Sequence, residues 1–202
     1  MQLSVSERKR ADIARAALVL FARDGYERTS VDAIAAEAGV SKRTVYSHYG
    51  DKESLFLLVI ADTYDQMRAR FTEIIVRMAS DVTDVEMSLI GTIREAVREV
   101  SHSRERALVL RLVIAELPHF PALLELWRNR GITPILTEVV TRLAAAGLLG
   151  ADDPEQAAGH LSALTFGQIN NRSMMGTIPL SEAEIDQIVT SGVWVFLRAY
   201  GA

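Results

Sequence analysis

Apolar residues recur at helical spacing along almost the whole chain, and strand-like alternation is absent. The first stripe, Ile13, Ala17, Leu20 and Phe21, predicts a helix from about Ser4 to Arg23. Ser4 and Glu7 stand at the spacing of a capping box, and Asp24-Gly25 supplies the stop. A second, shorter stripe follows in Val31, Ile34, Ala35 and Ala38, capped by Ser30 and ended at Gly39. Ser41 caps a third helix at once, in which Val45 and Tyr49, four apart, turn inward. Two helices joined by so tight a turn cross steeply, as in a helix-turn-helix.

Gly50-Asp51 marks the next break, with Asp51 as cap. A long helix then carries Leu55, Val59, Met67, Phe71 and Ile74, a length that suits a connector between a small head and a larger body. Further helices are predicted from Asp84 to Ser101, Arg104 to Leu117, Pro121 to Arg130 and Thr133 to Gly147. Asp153-Pro154 opens another, through about Ser173. Ser181 and Glu184 repeat the capping-box spacing ahead of a last helix that runs to about Tyr200. The expected fold is all-α, with a helix-turn-helix head over residues 1–50 and a helical body over residues 51–202.

Composition narrows the functions open to such a chain. Of 202 residues, 49% are hydrophobic and 24% charged, which suits a globular protein with a substantial core. Cysteine is absent, so disulfides and thiolate metal sites are excluded, as fits a reducing cytoplasm. The start is polar and charged, which predicts no signal peptide. The longest apolar stretch, Ala107 to Leu117, is broken by Arg111 and Glu116 and falls short of the ~20 residues a bilayer span needs, so no membrane partner is expected. The four histidines are scattered, and neither a phosphate loop nor a nucleophile motif is present, so neither an enzyme nor a cofactor is expected.

The net charge of −4 speaks at first against a nucleic-acid partner. Its distribution does not. Residues 1–60 hold nine Lys/Arg and eight Asp/Glu, whereas residues 61–202 hold thirteen and eighteen. Between Ser41 and Gly50 stand Lys42, Arg43 and His48 with no acid. A local positive face, not a basic whole, is what phosphate contact requires. With Val45 and Tyr49 inward, the third helix leaves Lys42, Arg43, Thr44, Tyr46, Ser47 and His48 outside, a set able to donate hydrogen bonds to phosphates or base edges.

The run Ala16 to Tyr26, the stretch Thr29 to Tyr49 and Asp51-Lys52-Glu53-Ser54-Leu55 together resemble the N-terminal domain of the TetR family of bacterial transcriptional regulators. Arg111 to Glu116 with Phe120-Pro121, and Gly147-Leu148-Leu149 with Asp153-Pro154 and Ala157-Ala158, look like the C-terminal domain of its AefR-like branch. The resemblance implies a homodimer seated on a palindromic double-stranded operator, released by a small-molecule effector in the body. The alternative is a DNA-binding architectural or partner-docking protein without an effector.

Residue roles are expectations at this point. Lys42 and Arg43 open the recognition helix, where Arg43 can pair bidentately with guanine; the family often has a small residue there. Thr44, Tyr46, Ser47 and His48 match family positions that touch phosphate or base; Ser41, the cap, is counted with them as a DNA contact, and Lys52, at the start of the next helix, is expected to reach a backbone phosphate. Thr29 and Ser30, at a helix N-terminus, either cap it or meet phosphate, or both. For the effector, Tyr64, Met67, Phe71, His102, Trp127, Phe166, Gln168, Asn171 and Met174 are candidate pocket residues, with plain core as the alternative for the apolar ones. The resemblance places the dimer interface on the last two helices, at Ala157, Ala163, Gly167, Ile185, Ile188, Gly192, Val193 and Phe196, against intrachain core as the alternative.

Overall fold

The computed structural model describes residues 4–78, 84–101 and 103–202, and no strand occurs among them. The chain forms α1 (Val5–Asp24), α2 (Val31–Glu37), α3 (Lys42–Tyr49), α4 (Lys52–Met78), α5 (Val85–Ser101), α6 (Arg104–Glu116), α7 (Ala122–Arg130) and α8 (Ile132–Ala145). After these come α9 (Pro154–Ser162), a π-helical turn (Ala163–Gly167), α10 (Gln168–Arg172) and α11 (Glu182–Tyr200).

The helix ends follow their local chemistry. Ser4 accepts from the Glu7 amide while Glu7 accepts from the Ser4 amide, and Ser181 and Glu184 make the same reciprocal pair. Both glutamates are held below the ordinary carboxylate value by these hydrogen bonds. Ser30, Ser41 and Asp153 each accept from the amide three residues on. Gly25, at φ 80°, ends α1 in a conformation that side chains rarely adopt.

Packing groups the chain into two compact units, residues 1–64 with 108–126, and residues 65–107 with 127–202. A boundary after residue 50 does not appear in this grouping. The head takes in the first part of α4 and a segment from α6 and α7, because α1, α2 and α3, of 20, 7 and 8 residues, present too little apolar surface to close a core alone.

In the first unit, Ile13, Ala17, Leu20 and Phe21 of α1 are buried with Ile34 of α2 and Val45 and Tyr49 of α3. Tyr49 donates its hydroxyl to the Arg10 carbonyl at 2.9 Å. The rings of Phe21, Tyr26, Phe56 and Phe120 form a connected cluster. In the second unit α8 lies along α9, and α11 packs against α5 and the π turn. Arg94 and Arg98 of α5 pair with Asp186 and Glu182 of α11.

One long helix was expected from Asp153 to about Ser173. It contains instead the π turn, at which the extra residue per turn rotates the following face. There the buried Thr165 hydroxyl donates back to the Leu161 carbonyl at 2.7 Å. Gly192 of α11 lies against the same turn, where a Cβ would stand 2.5 Å from the Leu164 carbonyl oxygen.

Candidate nucleic-acid interface

The α3 helix is presented as its pattern requires. Val45 and Tyr49 are buried beneath it, while Ser41, Lys42, Arg43, Tyr46 and Ser47 are exposed and Thr44 and His48 half-exposed. Tyr46 keeps 41% of its surface, so its ring and hydroxyl are available to a ligand. The hydroxyls are ordered locally. Ser41 Oγ lies 2.8 Å from Thr44 Oγ1, and Ser47 Oγ donates to the Thr44 carbonyl at 2.8 Å. A hydroxyl so engaged still has a lone pair or proton to offer.

The cations differ in their ties. Lys42 Nζ lies 2.8 Å from Asp32 Oδ2 of α2, and this hydrogen bond raises the ammonium's pKa. Lys52 Nζ donates to the Glu27 carbonyl at 3.3 Å and lies 4.2 Å from the centre of the Tyr26 ring. Arg43 is exposed and has no ionic partner among the described residues. It is therefore the cation with least to give up on meeting an anion.

Thr29 departs from expectation. It is only 3% exposed, and its hydroxyl lies within donating distance of the Gly25 carbonyl at 2.8 Å and the Leu20 carbonyl at 3.2 Å. Its side chain closes the end of α1 and has no surface for a phosphate. Ser30 is exposed and caps α2 through the Ala33 amide at 3.1 Å.

The proposed effector residues separate. Tyr64, Met67, Phe71 and Phe166 are buried, and Phe71 meets Phe166 edge-on at 6.2 Å. Arg106, not singled out from the sequence, lies against the Met67 sulfur, with its guanidinium 5.5 Å from the centre of the Phe71 ring. Trp127, Gln168, Asn171 and Met174 lie at the surface; Trp127 is 53% and Met174 62% exposed. For Gln168 and Asn171 helix phase is the reason, since Ile169 takes the inward position of α10 and leaves these neighbours outside. Met174 lies past the end of α10 at φ 49°, and Trp127, four residues on from the buried Leu123, is exposed near the end of α7. His102 lies outside the described residues.

The proposed interface residues also divide. Ala157, Ile185, Ile188, Gly192, Val193 and Phe196 are buried within the chain and offer nothing to a partner. They are the inward stripe of their helices. Ala163 and Gly167 are exposed. On α11 the large hydrophobic residues left exposed are Trp194, at 51%, and Val195, at 41%. The sequence carried the signal for them, since both fall off the 185–188–189–192–193–196 stripe that the core uses.

Among the described residues no helix is long and apolar enough to cross a membrane, and no cluster of acidic or histidine side chains could hold a metal ion.

Comparison with known proteins agrees with this architecture. The model of the AefR-like transcriptional repressor C-terminal domain matches residues 90–202, and that of the bacterial regulatory proteins of the tetR family matches residues 13–59. A crystal structure from Mesorhizobium loti MAFF303099, described as a TetR-family transcriptional regulator, is 30% identical and superposes with a TM-score of 0.87. The match covers 99% of this chain and 100% of that one. The flavonoid-responsive regulator FrrA is 28% identical, with a TM-score of 0.72 over 96% of this chain and 98% of its own. The regulator HbdR of Aromatoleum sp. (strain CIB) is 40% identical over 63 residues, which span 30% of this chain and 28% of HbdR. Its likeness is thus to a fraction of HbdR's length. With its head, its body and its full-length structural likeness all pointing one way, the chain belongs to the TetR family of bacterial transcriptional regulators, in the branch with an AefR-like C-terminal domain, and is a regulator rather than an enzyme.

Proposed function

We propose that the chain binds a palindromic operator as a homodimer and gives it up when an aromatic small molecule enters the body. The observation that carries the first part is the outer face of α3, which holds Lys42, Arg43, Thr44, Tyr46, Ser47 and His48 without a carboxylate on the helix. Such a face suits the major groove, where Arg43 reads guanine and the hydroxyls and His48 grip phosphate. The exposed Trp194 and Val195, with Ala163 and Gly167 on the adjoining π turn, support a second copy as the partner of the body. An aromatic effector is supported by Met67, Phe71 and Phe166 with Arg106 beside them, and by the likeness to a flavonoid-responsive regulator. The site of action is the cytoplasm, where the operator lies.

The test is footprinting on the DNA upstream of its own coding region. The expected result is a two-fold protected site, lost in the Lys42→Ala/Arg43→Ala double variant while its helix content and melting are kept. Sequence-specific binding unchanged in that variant refutes the assignment of α3. Release of the site by flavonoids or related phenolics supports the effector reading. Binding indifferent to all of them favours an architectural protein.

A further inference from the structure

We infer that Tyr26 is a positioning residue for Lys52, and that the end of α6 and the corner after it, through Glu116 and Phe120, set where Tyr26 holds it. The inference rests on the reading that Lys52 meets a DNA phosphate.

The Tyr26 backbone amide lies just past the end of α1, beyond Gly25, and donates to Glu116 Oε1 at 2.9 Å, across ninety positions of sequence. The Glu116 side chain is only 12% exposed. A carboxylate so far out of water is costly unless its oxygens are engaged. One oxygen takes the Tyr26 amide, and the other lies 3.6 Å from His119 Nδ1. Gly25 lies beside the same carboxylate, where a Cβ would stand 3.5 Å from Glu116 Oε1, in ordinary contact. The backbone of residue 26 is thereby pinned from the α6 side.

Its ring is pinned as well. Phe120 meets it edge-on with centroids 4.5 Å apart, Phe56 at 5.0 Å, and Phe21 stacks at 5.8 Å. Lys52 Nζ then lies 4.2 Å from the ring centre, and its remaining described contact is the Glu27 carbonyl. A cation over a ring is drawn by the negative face, and the attraction fixes the ammonium without neutralising its charge. An acid in the same place would fix it too, but would subtract from its pull on phosphate. The tyrosine thus holds Lys52 ready, and Glu116 and Phe120 hold the tyrosine.

The experiment is operator binding across a salt series, in a double-variant cycle with Lys52→Met. Tyr26→Phe keeps the ring and is expected to bind as the parent does. Tyr26→Leu is expected to weaken binding by about two- to fivefold, the equilibrium equivalent of an exposed cation–π contact. It should also flatten the dependence of log affinity on log salt toward that of Lys52→Met, which lacks one contact worth ~0.9 in slope. Glu116→Ala should behave like Tyr26→Leu, and Glu116→Gln, which keeps an acceptor for the amide, like the parent. Neither loss should appear in the Lys52→Met background. Equal losses with and without Lys52 overturn the inference, as does full binding by Tyr26→Leu. If Lys52→Met costs nothing while the operator is still bound, the inference falls and the function stands. If no operator is bound at all, both fall.

Discussion

Gly192→Ala and Gly159→Ala make the same chemical change in two helices of one chain, and the structure gives them opposite signs. By helix propensity alone each should gain ~0.8–1 kcal/mol, because alanine loses less backbone freedom on folding. At Gly159 nothing lies within 4 Å of the added Cβ, so that gain is expected in full. At Gly192 the Cβ would stand 2.5 Å from the Leu164 carbonyl oxygen and 2.9 Å from Thr165 Cγ2. The first is a backbone atom in the π turn, so it cannot swing aside as a side-chain tip would. Either α11 retreats or the turn rearranges. Overpacking of this kind costs ~1–3 kcal/mol, and a clash with backbone belongs in the upper part of that range. After the propensity gain, a net loss of ~1–2 kcal/mol remains, or a fall in Tm of ~2–8 °C for a chain of this size. Thermal unfolding of the three proteins at one fixed protomer concentration reads the result, since a dimer's Tm depends on concentration. If Gly192→Ala is as stable as the parent or more so, the close approach of α11 to the π turn is wrong.

Three further outcomes follow from particular contacts. Thr29→Val should lower stability by ~1 kcal/mol through the lost hydroxyl bonds, with the salt dependence of DNA binding unchanged; a flatter salt slope would restore Thr29 as a phosphate contact. Asp32→Asn should free Lys42, strengthen binding to DNA of any sequence and steepen the salt slope by up to ~0.9; an unchanged slope would mean that Asp32 does not hold Lys42 back. The Glu184 carboxyl titrates below its ordinary value of 4.5 when folded, so the stability it confers is complete above that pH and is lost as pH falls through the lowered value. The Tm difference between the parent and Glu184→Ala should therefore shrink in acid, and a difference that grows there would contradict the capping box.

The head was legible because its signals are local. Ser30, Gly39 and Ser41 punctuate the chain, and Val45 and Tyr49 leave one side of α3 for solvent. Where a residue's fate depended on a distant neighbour, its type misled. Thr29 reads as a phosphate contact until the Leu20 and Gly25 carbonyls are seen to take its hydroxyl. Trp127, Gln168, Asn171 and Met174 read as pocket residues by chemistry and stand at the surface. On α11 the core took the small and branched residues that looked suited to a partner, and left Trp194 and Val195 outside.

The capped helix ends, the inward stripes of the first three helices and the cationic outer side of α3 were therefore settled by the sequence, because hydrogen-bond caps and a period of 3.6 residues act over a few positions. The grip of Glu116 on Tyr26, the pairing of Lys42 with Asp32 and the seat of Gly192 against Leu164 were decided only by the tertiary structure. Those contacts join segments far apart along the chain. Whether two such groups meet depends on how whole helices pack, and no local spacing encodes that.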